Sequence, residues 1–338
     1  MDKIVVLDFG SQYSHLICRR IREFSVYAEL VPYDISFEEL QKLNPKGIIF
    51  SGGPSSVYSS DAPIPENKIF DMNLPLLGIC YGHQLIVNKY GGKVKRANKE
   101  YGSSILSIDN NKDLLSGVGD SVRAWMSHGD EAEEIPPGFQ VIGHTEGAKA
   151  AAIASEEKSI YGIQFHPEVV HTEQGTEILK NFVLKVCQAE KNWTMKGFID
   201  SAVEKISKIE GNVLCGVSGG IDSTVAALLI HKAIGDRLKC IFVNNGLLRL
   251  NEEKEIEEMF KENFKVNFTA VDAADEFIGK LKGVEDPEEK RMIVGEEFIR
   301  VFTNFAEKNG PFKWLAQGTL YPDVIESGVS KGPAAVIK

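Results

Sequence analysis

Of the five cysteines in this 338-residue chain (Cys18, Cys80, Cys187, Cys215 and Cys240), one is set apart by its neighbours. Cys80 lies in Leu76-Leu77-Gly78-Ile79-Cys80-Tyr81-Gly82-His83-Gln84, which reads as a buried strand, a sharp turn and a helix start, with Gly-x-Cys-x-Gly at the turn. This is the thiol counterpart of the Gly-x-Ser-x-Gly elbow, where flanking glycines permit a strained backbone that pushes a nucleophile into a cleft. A helix amino terminus at that point favours the thiolate, the reactive form. The other four cysteines sit in apolar helix or strand segments and read as small buried hydrophobes. A thiolate also needs a base, and Phe165-His166-Pro167-Glu168 supplies one. In an extended chain, residues two apart project to the same side, so Glu168 can orient His166 or hold its imidazolium. A His-x-Glu pair by itself is usually a solvated pair; beside the cysteine elbow it completes a Cys-His-Glu triad.

Two glycine loops could handle anions. Ser51-Gly52-Gly53-Pro54 follows the apolar run 47–50 and is either a simple turn or a place where a backbone N–H faces a tetrahedral oxyanion. Further on, the run 213–217 leads into Ser218-Gly219-Gly220-Ile221-Asp222-Ser223 and then a helix through Ile234, stopped by Gly235. Small residues leave backbone amides free to cradle an anion, and the helix start adds its positive end. No Gly-Lys-Ser/Thr follows, so this is not a Walker A loop.

The elements that must position these groups alternate. Short β-rich runs at 3–7, 47–50, 74–79 and 160–165 interleave with amphipathic stretches at 13–24, 84–90 and 173–188, the pattern of an α/β domain with a largely parallel sheet. A second strand series restarts at 213–217 and 239–243, behind an amphipathic stretch at 198–209 and ahead of a charged helix candidate at 251–264, an acidic loop at 285–287 and a further strand near 314–319. At about 150 residues per domain, 338 residues suit two. We therefore expect an α/β protein of two domains, each a mostly parallel sheet flanked by helices: 1–190, a linker or leading helix at 191–205, and 206–338.

Composition narrows the function. With 43% hydrophobic and 25% charged residues the chain has enough apolar content for cores, which excludes a disordered protein. Net charge is −10, with 18 basic and 25 acidic residues before position 191 and 20 and 23 from it onward, so neither half has the basic excess of a nucleic-acid binder. No apolar run approaches the roughly 18 residues of a membrane helix, and no signal peptide is read at the start. The cysteines are odd in number and lack Cys-x-x-Cys spacing, which points to free thiols in a reducing cytoplasm rather than a disulfide framework or structural zinc.

The cysteine elbow, the His-x-Glu and the first glycine loop together resemble the class I glutamine amidotransferase family over residues 3–188. The resemblance implies that Cys80 attacks the glutamine amide and releases ammonia, that His166 is general base and acid, and that Glu168 orients it. By it, the backbone amides of Gly53 and Tyr81 are the oxyanion donors, and Gln84 and Ser127-His128-Gly129 contact glutamine. The string Ser218, Gly219, Gly220, Ile221, Asp222, Ser223 resembles the PP-loop of the ATP pyrophosphatase superfamily, whose fold is of the adenine nucleotide alpha hydrolase type. That likeness implies ATP cleavage between the α and β phosphates, with Asp222 helping to hold Mg2+ and Ser218 and Ser223 the phosphates.

The order of the two parts, with the strings at 6–13, 78–84, 126–130, 245–249 and 315–327, is similar to the glutamine-hydrolysing GMP synthase family. This implies the substrates XMP, ATP and glutamine, and a homodimer for the full-length enzyme. Family members continue past Ile-Lys with a lid strand and a dimerisation domain. From this we expect a chain that is incomplete for GMP formation and monomeric or weakly associated. Asn244 stands where the family often has Asp. The rival readings are another glutamine-dependent PP-loop enzyme, a tRNA-modifying PP-loop protein, and a non-catalytic nucleotide-binding or glutamine-sensing protein that keeps both folds.

Overall fold

The computed structural model describes residues 1–319, and of residues 97–99 the backbone alone. They form two compact units that divide between Thr194 and Met195. The first is built on a nine-stranded sheet of β1 (Lys3–Asp8), β2 (Tyr27–Pro32), β3 (Gly47–Phe50), β4 (Leu76–Ile79), β5 (Lys93–Ile108), β6 (Ser121–Glu134), β7 (Gln140–His144), β8 (Ala152–Ser155) and β9 (Ile160–Ile163), in the order β2-β1-β3-β4-β9-β8-β7-β5-β6. The five strands from β2 to β9 are parallel. β3, β4, β9 and the middle of β1 are apolar throughout because both faces are covered, whereas β2, at the edge of the sheet, carries Glu29 and is only half-buried. Ile4, Val6, Ile49, Leu77 and Ile79 enter one core, while Val5, Leu7, Ile48, Phe50 and Leu76 enter the other.

The remaining four strands pair antiparallel. They arise from residues 93–155, where the sequence reading assigned no strand, so the sheet is mixed, and its parallel half carries the four strands foreseen together with β2, which was not. The physical reason lies in β6, which does alternate buried and exposed positions. Its inward row runs Val122, Ala124, Met126, His128, Asp130, Ala132, and the two polar residues break the hydrophobic alternation that marks a strand.

The second unit has a four-stranded parallel sheet of β10 (Asn212–Gly216), β11 (Leu238–Asn244), β12 (Phe268–Asp272) and β13 (Phe312–Gln317), ordered β12-β11-β10-β13. Val213, Cys215, Cys240 and Phe242 pack on one face, and Leu214, Ile241 and Val243 on the other. The helix Met195–Ser207 packs on the helix Ile221–Ile234 of this unit. In the acidic stretch 285–287, residues 285 and 286 lie in the loop foreseen, and Pro287 already begins a helix. Asp286 caps the 23-residue helix Pro287–Asn309, its carboxylate accepting from the Glu289 N–H at 2.9 Å, with Pro287 in the first turn. The end of the string 315–327 and the terminal run 334–338 lie outside the described residues. Among the described residues, no helix is long and apolar enough to cross a membrane.

Candidate active site

Strand β4 ends at Ile79 and a helix runs over Tyr81–Lys89, leaving Cys80 alone at the junction with φ 53° and ψ −104°. For a residue with a side chain that conformation costs on the order of 1–3 kcal/mol. The strain is carried by Cys80 itself, since neither Gly78 nor Gly82 has a positive φ. The two glycines are needed for close approach. A Cβ on Gly78 would overlap the Gly82 carbonyl, and one on Gly82 would sit 2.5 Å from the Phe50 carbonyl oxygen.

His166 arrives on the neighbouring strand. Ile79 of β4 is in register with Ile163 of β9, so the residues just beyond each strand emerge at the same end of the sheet. The backbone of His166 is clamped by its N–H to the Trp125 carbonyl at 3.0 Å and by Thr172 Oγ1, which donates to the His166 carbonyl at 2.6 Å. Nδ1 of the ring lies 2.7 Å from Oε1 of Glu168, leaving Nε2 for the thiol of Cys80, which lies close enough to favour the ring's charged form. Tyr13 meets the same ring edge-on at 5.4 Å. Burial opposes a charge on His166, but the Glu168 carboxylate and the Cys80 side chain outweigh it and hold its pKa well above the ordinary value. All five thiols are free and buried, and burial pushes Cys18 up to about 12 and Cys187 well above its usual range.

Cys80 and His166 open onto a cleft of about 690 Å³, also lined by Gly53, Gln84, Ser127, His128 and Gly129. These residues contribute in different ways. Gln84 donates to the Asp130 carbonyl at 3.0 Å, and the Ser127 carbonyl lies 3.5 Å from Cys80 Sγ. The ring of His128 is held between Glu100 and the Asp130 backbone. The Tyr81 side chain points elsewhere, its hydroxyl donating to the Pro63 carbonyl at 2.9 Å. Its N–H, in the first turn of a helix, has no partner within that helix and remains available to an oxyanion. Gly53 is crowded against Phe9, and a Cβ there would lie 2.6 Å from the Phe9 carbonyl oxygen.

Among the residues at or behind the cleft that the sequence reading gave no role are Gln164, Asp130 and Arg96. Gln164 places Nε2 3.7 Å from Cys80 Sγ. Asp130 accepts from Ser56 and from Tyr58, the latter at 2.7 Å. Arg96 lines the mouth. Asp130 closes the string 126–130 already noticed, and Gln164 stands two residues before His166, so proximity to known motifs was the available signal; Arg96 had none.

In the second unit the string 218–223 wraps the start of the helix Ile221–Ile234. Gly219 has φ 79°, and a Cβ on it would overlap Cδ1 of Ile256. Ser223 Oγ accepts from the Ser218 N–H at 3.1 Å and lies 3.2 Å from Ser218 Oγ, so the two hydroxyls brace the loop. Ile221 and Asp222 are exposed at its mouth. The chain places β11 and β12 on one side of β10 and β13 on the other, so the loop after β10 sits at the topological switch point, where open α/β sheets bind ligands. Gly318, just past β13, closes on it, and a Cβ there would lie 2.9 Å from the Ser223 nitrogen. Among the described residues no cluster of three or more His, Cys, Asp or Glu could hold a metal ion. One exposed carboxylate, Asp222, suits only a Mg2+ shared with substrate phosphates. A second cleft of about 590 Å³ opens beside Asn244, which donates to Glu253 Oε2 at 2.7 Å and accepts from the Gly246 N–H at 2.9 Å.

Comparison with known proteins agrees with this division. Residues 193–299 match the NAD synthase family. The whole chain is 51% identical to a protein of Brachyspira hyodysenteriae named GMP synthase [glutamine-hydrolyzing], covering 66% of that protein. A protein of the same name from Caldicellulosiruptor saccharolyticus is 53% identical over 99% of the chain, again with 66% of its own length covered. The chain thus spans just under two thirds of the length of these relatives. Among solved structures, a Thermoplasma acidophilum protein described as a putative GMP synthase subunit superposes on 56% of the chain and 94% of its own, with a TM-score of 0.52 and 31% identity. The family described as glutamine amidotransferase class-I matches residues 5–186, more than half of the chain. The chain belongs to the class-I glutamine amidotransferase family.

Proposed function

We propose that this chain carries the glutaminase and the ATP-activating machinery of a glutamine-hydrolysing GMP synthase. The overall reaction would be XMP, ATP, glutamine and water giving GMP, AMP, pyrophosphate and glutamate. The observation that carries the reading is the His166 ring set between the Cys80 thiol and the buried Glu168 carboxylate. In this reading residues 1–190 are the glutaminase domain, 191–205 its connection, and 206–338 the ATP pyrophosphatase part.

The Cys80 thiolate attacks the γ-carbonyl carbon of glutamine, with the oxyanion received by the N–H groups of Gly53 and Tyr81. His166 delivers its proton to the departing ammonia, then takes one from the water that hydrolyses the thioester, while Glu168 holds the ring in place. Gln84 and the 127–129 wall shape the glutamine pocket. In the second unit the amides of residues 218–223 cradle the pyrophosphate of ATP. Mg2+ would neutralise the phosphate charge when bound, with Asp222 as its protein ligand. An electronegative chain of ordinary composition also fits small-molecule substrates better than nucleic acid.

The test measures glutamate release from glutamine, and GMP formation from XMP, Mg-ATP and ammonia, for the 338-residue chain and for a full-length relative, each with and without Cys80→Ala or its equivalent. We expect Cys80→Ala to abolish glutamate release in both, and ammonia-dependent GMP formation to persist in the full-length variant. Glutamate release that survives Cys80→Ala would sink the triad. A full-length protein in which Asp222→Ala leaves ATP affinity and pyrophosphate release unchanged would sink the loop assignment.

A further inference from the structure

The His128 side chain is 1% exposed, and both of its ring nitrogens face oxygens that only accept hydrogen bonds. Nδ1 lies 3.0 Å from the Asp130 backbone carbonyl, and Nε2 lies 3.1 Å from Oε2 of Glu100. A neutral imidazole has one N–H and one lone pair, so it can satisfy one of these oxygens and repels the other. The site must therefore hold one proton beyond those of a neutral histidine and an ionised glutamate. Where the proton resides follows from the other oxygen of Glu100, which accepts from Ser104 Oγ at 2.6 Å and from Thr145 Oγ1 at 3.4 Å. Hydroxyl donors favour the ionised carboxylate, which assigns the proton to the ring.

Among the described residues, Glu100 makes no ion pair other than that with His128. His83, on the helix Tyr81–Lys89, is kept neutral, its pKa pushed down to about 3 by burial and by His128. The Asp130 carboxylate is taken by Ser56 and Tyr58, and Arg96 opens onto the cleft. Gly147 packs so close to Glu100 that a Cβ would lie 2.8 Å from Oε2. Glu100 and His128 are direct partners across the β5/β6 pair, beside a register shift in which residues 96–100 of β5 oppose only 128–130 of β6. Irregularities of this kind re-aim side chains next to active sites.

The proton has a structural consequence. The Nδ1–H of His128 and the Nε2–H of Gln84 converge on one carbonyl, that of Asp130, and so fix the 127–130 wall. The Ser127 carbonyl of that wall faces Cys80 Sγ. We propose that Glu100 is a positioning residue for the cysteine site, holding His128 as a buried imidazolium whose Nδ1 proton sets the wall against which glutamine binds. The role rests on the glutaminase reading above, whereas the ion pair can be tested without it.

The first measurement is side-chain NMR of the 338-residue chain labelled in histidine, with the His128 and His166 rings assigned by the loss of each in the Asn variants. We expect both nitrogens of His128 to be protonated at pH 7.5. The second compares Glu100→Ala with Glu100→Gln in glutamate release. Glutamine at 100 can donate its amide to Nε2 while Nδ1 keeps its proton, so a neutral ring fits the same geometry. Glu100→Ala should raise the KM for glutamine by about tenfold or more, with kcat within about threefold, and Glu100→Gln should restore KM with a ring that is now neutral. A neutral His128 in a parent chain that hydrolyses glutamine overturns the ion pair. Equal KM in the parent, Ala and Gln variants overturns the positioning role. An imidazolium at His128 in a chain that does not hydrolyse glutamine overturns the glutaminase reading, and the role with it.

Discussion

Glu168 lies wholly inside the protein, with one carboxylate oxygen 2.7 Å from Nδ1 of His166 and the other without a hydrogen-bond partner among the described residues. A buried acceptor with unspent capacity is a strong one, so most of its influence falls on the single ring it touches. Glu168→Gln keeps the shape and removes the charge. By the scale of other orienting carboxylates, glutaminase kcat should fall on the order of 10²–10⁴-fold while the KM for glutamine moves little. Steady-state assays of glutamate release decide it, and a loss below about tenfold would mean that Glu168 does not support the base.

The same pair predicts a pH dependence of stability. His166 titrates higher in the folded chain than at its ordinary value of 6.5, so its protonated form contributes stability that is complete below that value and is lost as pH rises through the raised folded one. Glu168→Gln removes the main attraction that raises it. The stability gap between parent and variant should therefore be largest at pH 6 and shrink toward pH 9, as read by urea unfolding at each pH. A gap that widens with pH would contradict the direction of the shift.

Cys80 adopts its positive φ at a cost that glycine would not incur, of order 1–3 kcal/mol, while glycine loses about 0.5–1 kcal/mol through the flexibility of the unfolded chain. The first effect is the larger. Cys80→Gly should be more stable than Cys80→Ala by about 0.5–2 kcal/mol in chemical denaturation, and both should be inactive with glutamine. Equal stability of the two would show that the nucleophile turn is not strained.

What was legible beforehand follows from where the physics is local. Cys80, His166 and Glu168 were readable because a strand, a glycine turn and a period-two spacing each act within a few residues. Asp130 and Glu100 were not, because their meaning comes from pairing across β5 and β6, and the inward polar positions at 128 and 130 disguised β6 as something other than a strand. The helix Pro287–Asn309 was hidden in a similar way. Its cap, Asp286, and its N1 proline read as loop residues unless the stretch beyond them is recognised as helical.

Asn244 donates its amide to Glu253 at 2.7 Å, a bond that Asp could not make. Asn244→Asp would set two carboxylates against each other at this distance, and one would have to take up a proton, its pKa raised by the other. Stability lost to the substitution should be small near pH 3.5 and grow to about 1 kcal/mol by about pH 6.5, above which both are ionised and solvent screens part of the repulsion. Adding Glu253→Gln should erase the pH-dependent part. A penalty that does not vary with pH would place its origin in the Gly246 turn instead.

Gly219 combines two constraints, a φ of 79° and a direction toward Cδ1 of Ile256 that leaves no room for a Cβ. Either alone would disfavour alanine, and a double-mutant cycle separates them. Ile256 is 5% exposed in the core of the second unit, so Ile256→Ala by itself should cost about 2–5 kcal/mol while emptying the space the Gly219→Ala methyl would enter. If the clash dominates, Gly219→Ala will cost markedly less in the Ile256→Ala background, by at least about 1 kcal/mol. If backbone strain dominates, the two costs will add. The overlap reaches Cγ1 as well as Cδ1 of a side chain held in a packed core, so turning the terminal methyl alone does not relieve it, and we expect the coupling. ATP affinity measured by calorimetry should follow the same order, weakest in Gly219→Ala and partly recovered in the double variant, because it is the course of the 218–223 backbone that sets where its amides point. Unchanged ATP affinity in Gly219→Ala would show that the phosphates are held elsewhere.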